Sequence, residues 1–260
     1  MSNFNLTTSS QTNSNKCLSP NQLACLDANR MPRHIAIIPD GNRRWAKKNL
    51  LRIYEGHSKG VDALIQIIKA AKQMQIKEIT IYGFSTENWH RPQLEVQALI
   101  SLIHSYLVNQ TANMVEDGVK FETIGEPGGL PQYLLDTIKQ TKHVTQNCSS
   151  MRLIMALNYG ARNEICRAFR AMLQDYDQKK LQVEEINETL VGRYLDTHAW
   201  SDPDLLIRTS GELRVSNFLL WQLSYSEIHV SSVLWPDFTP QHLYEAIIDF
   251  QNRKRRWGGG

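Results

Sequence analysis

Cysteine is scarce in this 260-residue chain: Cys17, Cys25, Cys148 and Cys166 stand far apart, with no Cys-x-x-Cys pair. That spacing argues against a zinc knuckle, a dithiol redox motif and a disulfide framework, and it predicts a reducing compartment, the cytoplasm. No apolar run approaches the roughly 20 residues that a membrane span needs, and the first residues lack the charged-then-apolar order of a signal peptide. A soluble, non-secreted protein is expected. Also missing are a Gly-x-x-x-x-Gly-Lys-Ser/Thr loop, a Gly-x-Gly-x-x-Gly after the first apolar run and a His-Glu-x-x-His pair. An NTPase, a dinucleotide oxidoreductase and a zinc protease therefore lack support. The formal net charge is only +3, which suggests an anionic ligand and no nucleic-acid partner.

What is present organises into one unit. Residues 1–18 are rich in Ser, Thr and Asn and carry too little apolar surface to offset ordering entropy, so a disordered tail is expected there. Over residues 19–30, Ser19 as N-cap and Pro20 at the first helical position predict a short lead-in helix. From residue 31 to 260 the pattern alternates. Candidate strands are HIAII from His34, EITIYGF from Glu78, VKFETI from Val119, RLIMAL from Arg152, DLLIR from Asp204 and EIHV from Glu227. Helical periods lie between them, as in Val61, Leu64, Ile65, Ile68 and Ala71, and in Leu99, Leu102, Ile103, Tyr106 and Leu107. The prediction is an α/β fold in a single domain: a largely parallel six-stranded sheet flanked by helices.

In such a sheet, ligands bind outside the carboxyl ends of the strands. The segments found there are PDGNRRW, STENWHRP, NYGAR and TSGELRVSN, all polar and most with glycine. Asp40 sits where a strand ends, Gly41 permits a tight turn, and Asn42 is placed to cap a helix whose free N–H groups favour an anion. Arg43, Arg44, Lys47 and Lys48 add positive charge. Two readings stay open: Asp40 is simply the ion-pair partner of these cations, or it holds Mg²⁺, which takes one or two carboxylates and completes its shell with substrate phosphates and water. In the second reading the arginines clamp phosphate oxygens.

His57 either donates to a phosphate or stands in solvent at a helix start. The loop FSTENWHRP offers Ser85, Thr86, Glu87, Asn88, Trp89 and Arg91. Capping chemistry explains most of it, but a loop tryptophan between an amide and an arginine needs a cover. Arg208 and Arg214, six apart around Ser210, Gly211 and Glu212 and followed by Ser216, make a diphosphate grip. Glu227 alone is an ordinary sheet-end acid. The closing run RKRRWGGG from Arg253 is a solvated end, part of an anion site, or a contact for an anionic membrane surface.

Taken together, HIAIIPDGNRRWA, GHSKG, YGFSTENWHRP, ALNYGAR, DPDLLIRTSGELRVSNFLLWQ, YSEIHVSSVLWPDF and RKRRWGG resemble the cis-prenyltransferase family, in the family's order, from residue 31 to the end. The resemblance implies that isopentenyl diphosphate attacks the first carbon of an allylic diphosphate such as farnesyl diphosphate, repeatedly, each new double bond being cis. The implied product is a long polyprenyl diphosphate, undecaprenyl diphosphate for a cell-wall lipid carrier. It further implies Mg²⁺, a homodimer, and peripheral contact with the inner face of the membrane at product release.

Position by position, the resemblance makes Asp40 the Mg²⁺-linked catalytic aspartate at the allylic diphosphate. Gly41, Asn42, Arg43, Arg44, Trp45, Arg52 and His57 fall around that diphosphate, and Ser85, Thr86, Glu87, Trp89 and Arg91 on the loop that closes over substrate. Asn88 becomes the proton acceptor or its organiser. Arg208, Arg214 and Ser216 match the isopentenyl diphosphate site, and Glu227 the second metal carboxylate. An apolar tunnel is expected beside Gly83, with Leu99, Leu102, Ile103 and Leu107 as wall and floor.

The chain departs from the family in four places. Pro39 precedes Asp40, Arg43 replaces a glycine, Arg52 stands four rather than three residues before Gly56, and Leu213 takes a usually polar position. A catalytically silent partner subunit or a diphosphate-binding module of the same fold is the alternative; Asp40, Asn88, Glu227 and RRWGG all survive, which favours the enzyme.

Overall fold

The computed structural model describes residues 17–253; the tail up to residue 16 and the basic run beyond Arg253 lie outside the described residues. The six candidate runs form strands: β1 His34–Ile38, β2 Glu78–Ser85, β3 Val119–Ile124, β4 Met151–Tyr159, β5 Leu205–Arg208 and β6 Glu227–Val230. All pairings are parallel, in the order β3-β4-β2-β1-β5-β6. β1 reads HIAII without alternation because both of its faces are covered, and every one of its residues is buried. The helices are α1 Pro20–Ala24, α2 Asn42–Lys48, α3 Ile53–Gln73, α4 Gln93–Glu116, α5 Gln132–Thr145, α6 Ala161–Asp177, α7 Glu188–Tyr194 and α8 Pro240–Asn252.

The strand order places the site. From β1 the chain moves outward to β2, β4 and β3 on one side, while β5 and β6 lie on the other. The crevice outside the carboxyl ends of β1 and β5 is thus the point where the winding reverses, and it is flanked by the segments that follow Ile38 and Arg208. The larger core packs α3, α4, α5 and α8 on one sheet face, around Ile37, Ile67, Ile79, Leu107, Phe121 and Ile247. A smaller one on the other face gathers Ala36, Ile38, Tyr159 and Phe218.

Element edges differ from the sequence reading where side chains intervene. β5 begins at Leu205 because the Asp204 carboxylate accepts the Arg33 N–H at 2.8 Å. β4 runs on to Tyr159, two residues past the apolar run, since Asn158 and Tyr159 are themselves buried. Cys17 and Leu18, placed by composition in the disordered tail, are fixed instead: both N–H groups donate to Gln73 Oε1, at 3.0 and 3.1 Å, and Leu18 is buried on α3. Ser19 and Gln22 form a reciprocal capping box at α1.

Candidate active site

Pro39 and Asp40 follow β1, and Gly41 turns the chain into α2 at φ 114°, a left-handed conformation natural to glycine. A Cβ at Gly41 would also stand 2.3 Å from Ser210 Oγ. That close approach lets the β5 loop clasp Asp40. Its carbonyl accepts from the Thr209 and Ser210 hydroxyls at 2.6 and 2.8 Å. Its carboxylate spans two arginines: Oδ2 takes Arg208 Nη2 at 2.9 Å, and Oδ1 faces Arg44 Nη2 at 3.3 Å. Arg208 is only 4% exposed. It also donates to Ser216 Oγ at 2.7 Å and to the Arg214 carbonyl, which folds the loop back on itself. Its Nε is buried with no partner.

These groups line a polar pocket of ≈ 500 Å³ whose wall includes Asp40, Ser85, Glu87, Asn88, Arg91, Arg208, Ser216 and Asn217. Burial pushes the Glu87 carboxyl up, but hydrogen bonds from Asn217, Ser85 and Thr86 outweigh it and hold the group below the usual carboxylate range. Next to it, between α3, α4 and the sheet, lies a narrower cavity of ≈ 160 Å³ whose deeper wall is apolar: Val61, Leu64, Leu99, Leu102, Ile103 and Met155. Pro39, Tyr82, Asn88 and Arg91 line both spaces, so they form the junction. Asn42 is the first residue of α2, with Gly41 at the N-cap, and its Oδ1 is buried at this cavity without a partner.

A buried carboxylate that the sequence reading passed over organises the junction. Glu95, in the first turn of α4, receives Arg91 Nη1 at 2.9 Å, His57 Nε2 at 3.4 Å and Arg43 Nε at 3.7 Å. Burial pushes His57 below the ordinary imidazole range, against the pull of Glu95, so the ring is neutral at neutral pH. The one visible signal for Glu95 was its i+4 spacing from Arg91 in RPQLE. We expect Glu95→Ala to lower the urea midpoint by a stability loss of about 1–3 kcal/mol, because buried donors lose their acceptor. Glu95→Gln, whose amide oxygen still accepts, should cost less. An unchanged midpoint for Glu95→Ala would show that the cluster does not depend on it.

The remaining predicted residues divide. Ser85 N–H donates to Asn88 Oδ1 at 3.0 Å, so that oxygen is turned inward to the loop. The Thr86 hydroxyl donates to Glu87 at 3.2 Å. Trp89 is covered by Phe84, edge-on at 5.0 Å, and its Nε1 donates to Asn158 Oδ1 at 2.7 Å. Arg214 reaches outward to Glu212 at 2.5 Å. Trp45 lies to the side, tied to Asp237 at 2.7 Å.

Three placements correct the sequence reading. Arg52 is 85% exposed by side chain and pairs with Glu55 in a capping box at the start of α3, away from both spaces. Leu107 is fully buried in the core and leaves the cavity to Leu99, Leu102 and Ile103. Glu227 opens β6 level with Leu205 and Ile35. β1 runs three residues, about 10 Å, beyond that level before Asp40 emerges at the opposite edge. Within one chain Glu227 therefore does not share a metal with Asp40; it pairs with Arg253 at 2.9 Å. Tyr82 and Asn217 are additions: Tyr82 stacks on Phe218 at the junction, and Asn217 holds Glu87 and accepts the first N–H groups of α6.

For a metal, the donor set is small. Among the described residues no three His, Cys, Asp or Glu side chains gather as a binding group. Mg²⁺ commonly takes one or two carboxylates and completes its shell with substrate phosphates. Asp40, facing the pocket among arginines that can turn to phosphate oxygens, fits that pattern.

Known proteins are similar to this chain in sequence and in fold. The family model described as "Putative undecaprenyl diphosphate synthase" matches residues 38–258. An isoprenyl transferase of Clostridium tetani is 46% identical over 234 residues, 90% of this chain and 92% of that protein. The crystal structure of lavandulyl diphosphate synthase from Lavandula x intermedia, in complex with dimethylallyl diphosphate, is similar at a TM-score of 0.87 and 35% identity, covering 89% of this chain and 100% of that one. A probable undecaprenyl diphosphate synthase from Campylobacter jejuni is similar at 0.73 and 30% identity, covering 88% and 99%.

Proposed function

The chain belongs to the undecaprenyl diphosphate synthase family and is a transferase of prenyl groups, and on that premise we propose that it extends farnesyl diphosphate with isopentenyl diphosphate, in the presence of Mg²⁺, to undecaprenyl diphosphate. One observation carries the reading: an arginine-lined polar pocket opens, through Pro39, Tyr82, Asn88 and Arg91, into an apolar cavity. A charged head bonded to a growing apolar chain needs that pair of environments joined at one point, where the reacting carbon sits.

In this mechanism Arg44, in α2, takes the allylic diphosphate, and Asp40 would act on it through the Mg²⁺ it holds. Arg208, Arg214 and Ser216 take isopentenyl diphosphate across the pocket. Mg²⁺, held by Asp40, would supply positive charge to the leaving diphosphate. Negative charge gathers on those oxygens as the carbon–oxygen bond breaks, so arginines aimed there stabilise the transition state more than the ground state. Asn88 organises the loop: its Oδ1 already accepts the Ser85 N–H, and an amide is a poor base. The departing diphosphate takes the proton lost from isopentenyl diphosphate as the new double bond forms.

A homodimer belongs to the same proposal. β6 is an edge strand with Ile228 half exposed, and Phe169, Leu173 and Tyr176 leave an apolar face open on α6. No described helix is long and apolar enough to cross a membrane. We place the enzyme in the cytoplasm, touching the inner membrane face only to release a product whose long apolar tail partitions into lipid.

The test is incubation of the purified protein with farnesyl diphosphate, radiolabelled isopentenyl diphosphate and Mg²⁺, with products resolved by chain length. A ladder reaching long polyprenyl diphosphates is expected; absence of labelled polyprenyl product would overturn the reading. Gly83 gives a second check. A Cβ there would stand 3.1 Å from Cγ of Met155, a residue of the cavity wall, 3.3 Å from Leu157 Cδ2 and 3.4 Å from the Ala156 carbonyl oxygen, contacts that a shift of a few tenths of an ångström relieves. Gly83→Leu should shorten the products with chemistry retained. In a closed core the same change would cost about 1–3 kcal/mol by overpacking without altering any product.

A further inference from the structure

α2 and α3 form a hairpin at the carboxyl edge of the sheet. α2 runs outward from Gly41 for seven residues, about 10 Å, and α3 returns past it. The two are pressed together: a Cβ at Gly56 would stand 2.2 Å from the Asn42 carbonyl oxygen and 2.9 Å from Ala46 Cβ. The turn between them, closed by the Leu51 N–H on the Ala46 carbonyl at 2.9 Å, is thereby carried outward from the sheet edge. It stays close to the apolar cavity all the same. Asn42 and His57 line that cavity, and Ile53 and Tyr54 lie one helical turn before His57.

The residues of this turn are unusual for a surface that meets only water. Lys47 to Tyr54, KKNLLRIY, are all exposed, and four of the eight are large and apolar. Leu50 is 95% exposed and holds φ at 57°, just after the C-cap Asn49, where glycine or asparagine is usual. A leucine there gains nothing from the packing of its own chain. Leu94 is exposed as well, in the first turn of α4, whose next residue Glu95 pairs with His57 of α3. Every charge in residues 41–54 is positive: Arg43, Arg44, Lys47, Lys48 and Arg52. The three arginines have carboxylate partners, whereas Lys47 and Lys48 make no ion pair among the described residues.

Apolar side chains for the acyl boundary and cations for anionic headgroups are the two signals that together hold a soluble protein on a bilayer. A protein docking here would have to desolvate the unpaired lysines, but at a bilayer they stay hydrated at headgroup level while the leucines beside them are buried. We propose that the α2–α3 turn, with Leu94, is the surface by which the enzyme docks on a bilayer containing anionic lipid, Leu50 and Leu51 entering the acyl boundary and Lys47 and Lys48 meeting the phosphates. The proposal rests on the membrane contact proposed for product release and gives it a place. That place is the edge where the cavity opens, so the apolar tail reaches lipid without crossing water.

The test is co-sedimentation with vesicles in the absence of substrate, which reads binding apart from chemistry. Vesicles of phosphatidylcholine alone are compared with vesicles of phosphatidylcholine and phosphatidylglycerol in equal parts. The wild type should bind the second kind far better and lose that binding in high salt. Lys47→Gln/Lys48→Gln should lower the partition coefficient about 25-fold, roughly fivefold for each cation removed from the surface. Leu50→Ser/Leu51→Ser should lower it by about 10-fold or more. The same charge loss just past α6, Lys179→Gln/Lys180→Gln, should lower it much less. All three variants should keep wild-type turnover in detergent solution, which also reports folding; the Lys47→Gln/Lys48→Gln pair decides if the serine pair does not fold. Undiminished binding by the turn variants would overturn this surface while leaving the membrane contact itself standing. An equal loss from Lys179→Gln/Lys180→Gln would overturn it too, since the attraction would then follow net charge alone. If the wild type binds anionic vesicles no better than neutral ones, the membrane contact fails together with this surface, and a protein partner is the remaining occupant of the patch. Elongation is read separately, by the product ladder, and its failure is distinct from each of these.

Discussion

Asp40→Asn lowers turnover by about 10²–10³-fold, the range found when one preorganised electrostatic contact to a developing charge is removed, while the protein remains folded. The asparagine variant is the informative one. Arg208 is almost wholly buried and its Nη2 rests on Asp40 Oδ2. Alanine at 40 would leave that guanidinium short of an acceptor, and breaking a buried pair typically costs about 3–5 kcal/mol, a large fraction of the roughly 5–15 kcal/mol by which domains are stable. Asparagine keeps the shape and one acceptor oxygen but removes the negative charge that a hard divalent cation requires. Activity falls with the charge and stability does not. Near-normal turnover in Asp40→Asn, with intact folding, would remove Asp40 from the chemistry and return it to the role of an ion-pair partner.

Arg208 and Arg214 separate into a structural and a peripheral contact, although the sequence presents them as a matched pair. Arg214 is 62% exposed by side chain, and its guanidinium pairs with its neighbour Glu212. Its truncation should remove one charge-assisted contact to isopentenyl diphosphate, about 1.5–3 kcal/mol, or roughly 10- to 150-fold in KM, with little change in folding. Arg208→Ala should do more. Besides its phosphate contact it would release Ser216, the Arg214 carbonyl and Asp40 together, so both KM for isopentenyl diphosphate and kcat deteriorate and the melting temperature drops. Steady-state kinetics with each substrate varied in turn, alongside thermal melts, distinguishes the two. Equal weakening of both substrates by Arg214→Ala would mean that this loop serves the allylic site instead.

How much of this was legible in the chain depends on what each residue interacts with. The strands were readable because parallel strands buried on both faces are continuous β-branched runs, HIAII above all. The loops that follow them fall at one edge by topology alone, and that places Asp40, Asn88 and Arg208 together from the sequence. The same rule, applied consistently, places Glu227 at the other edge, because it opens its strand instead of following it; the motif order concealed that. Arg52 was misplaced for a local reason. Its partner Glu55 lies three residues on in the same helix start, and this short-range contact holds the side chain in solvent. Glu95 looked like any acid in a first helical turn. Its burial comes from His57 on a different helix, a tertiary contact that periodicity does not encode. Tyr106 and Leu107 are adjacent, and the 100° between neighbours on a helix decides which lines the cavity and which lies wholly in the core; a stripe broad enough to contain both could not choose.

The central claim is repeated cis addition at the junction of the polar pocket and the apolar cavity. It is tested most directly by supplying ¹³C-labelled isopentenyl diphosphate with farnesyl diphosphate and Mg²⁺, then reading the geometry of every newly formed double bond by NMR in the purified product. The account predicts several additions per starter, all with cis geometry, and their loss when the metal is chelated. A product with new trans bonds, or one that stops after a single condensation, would contradict it.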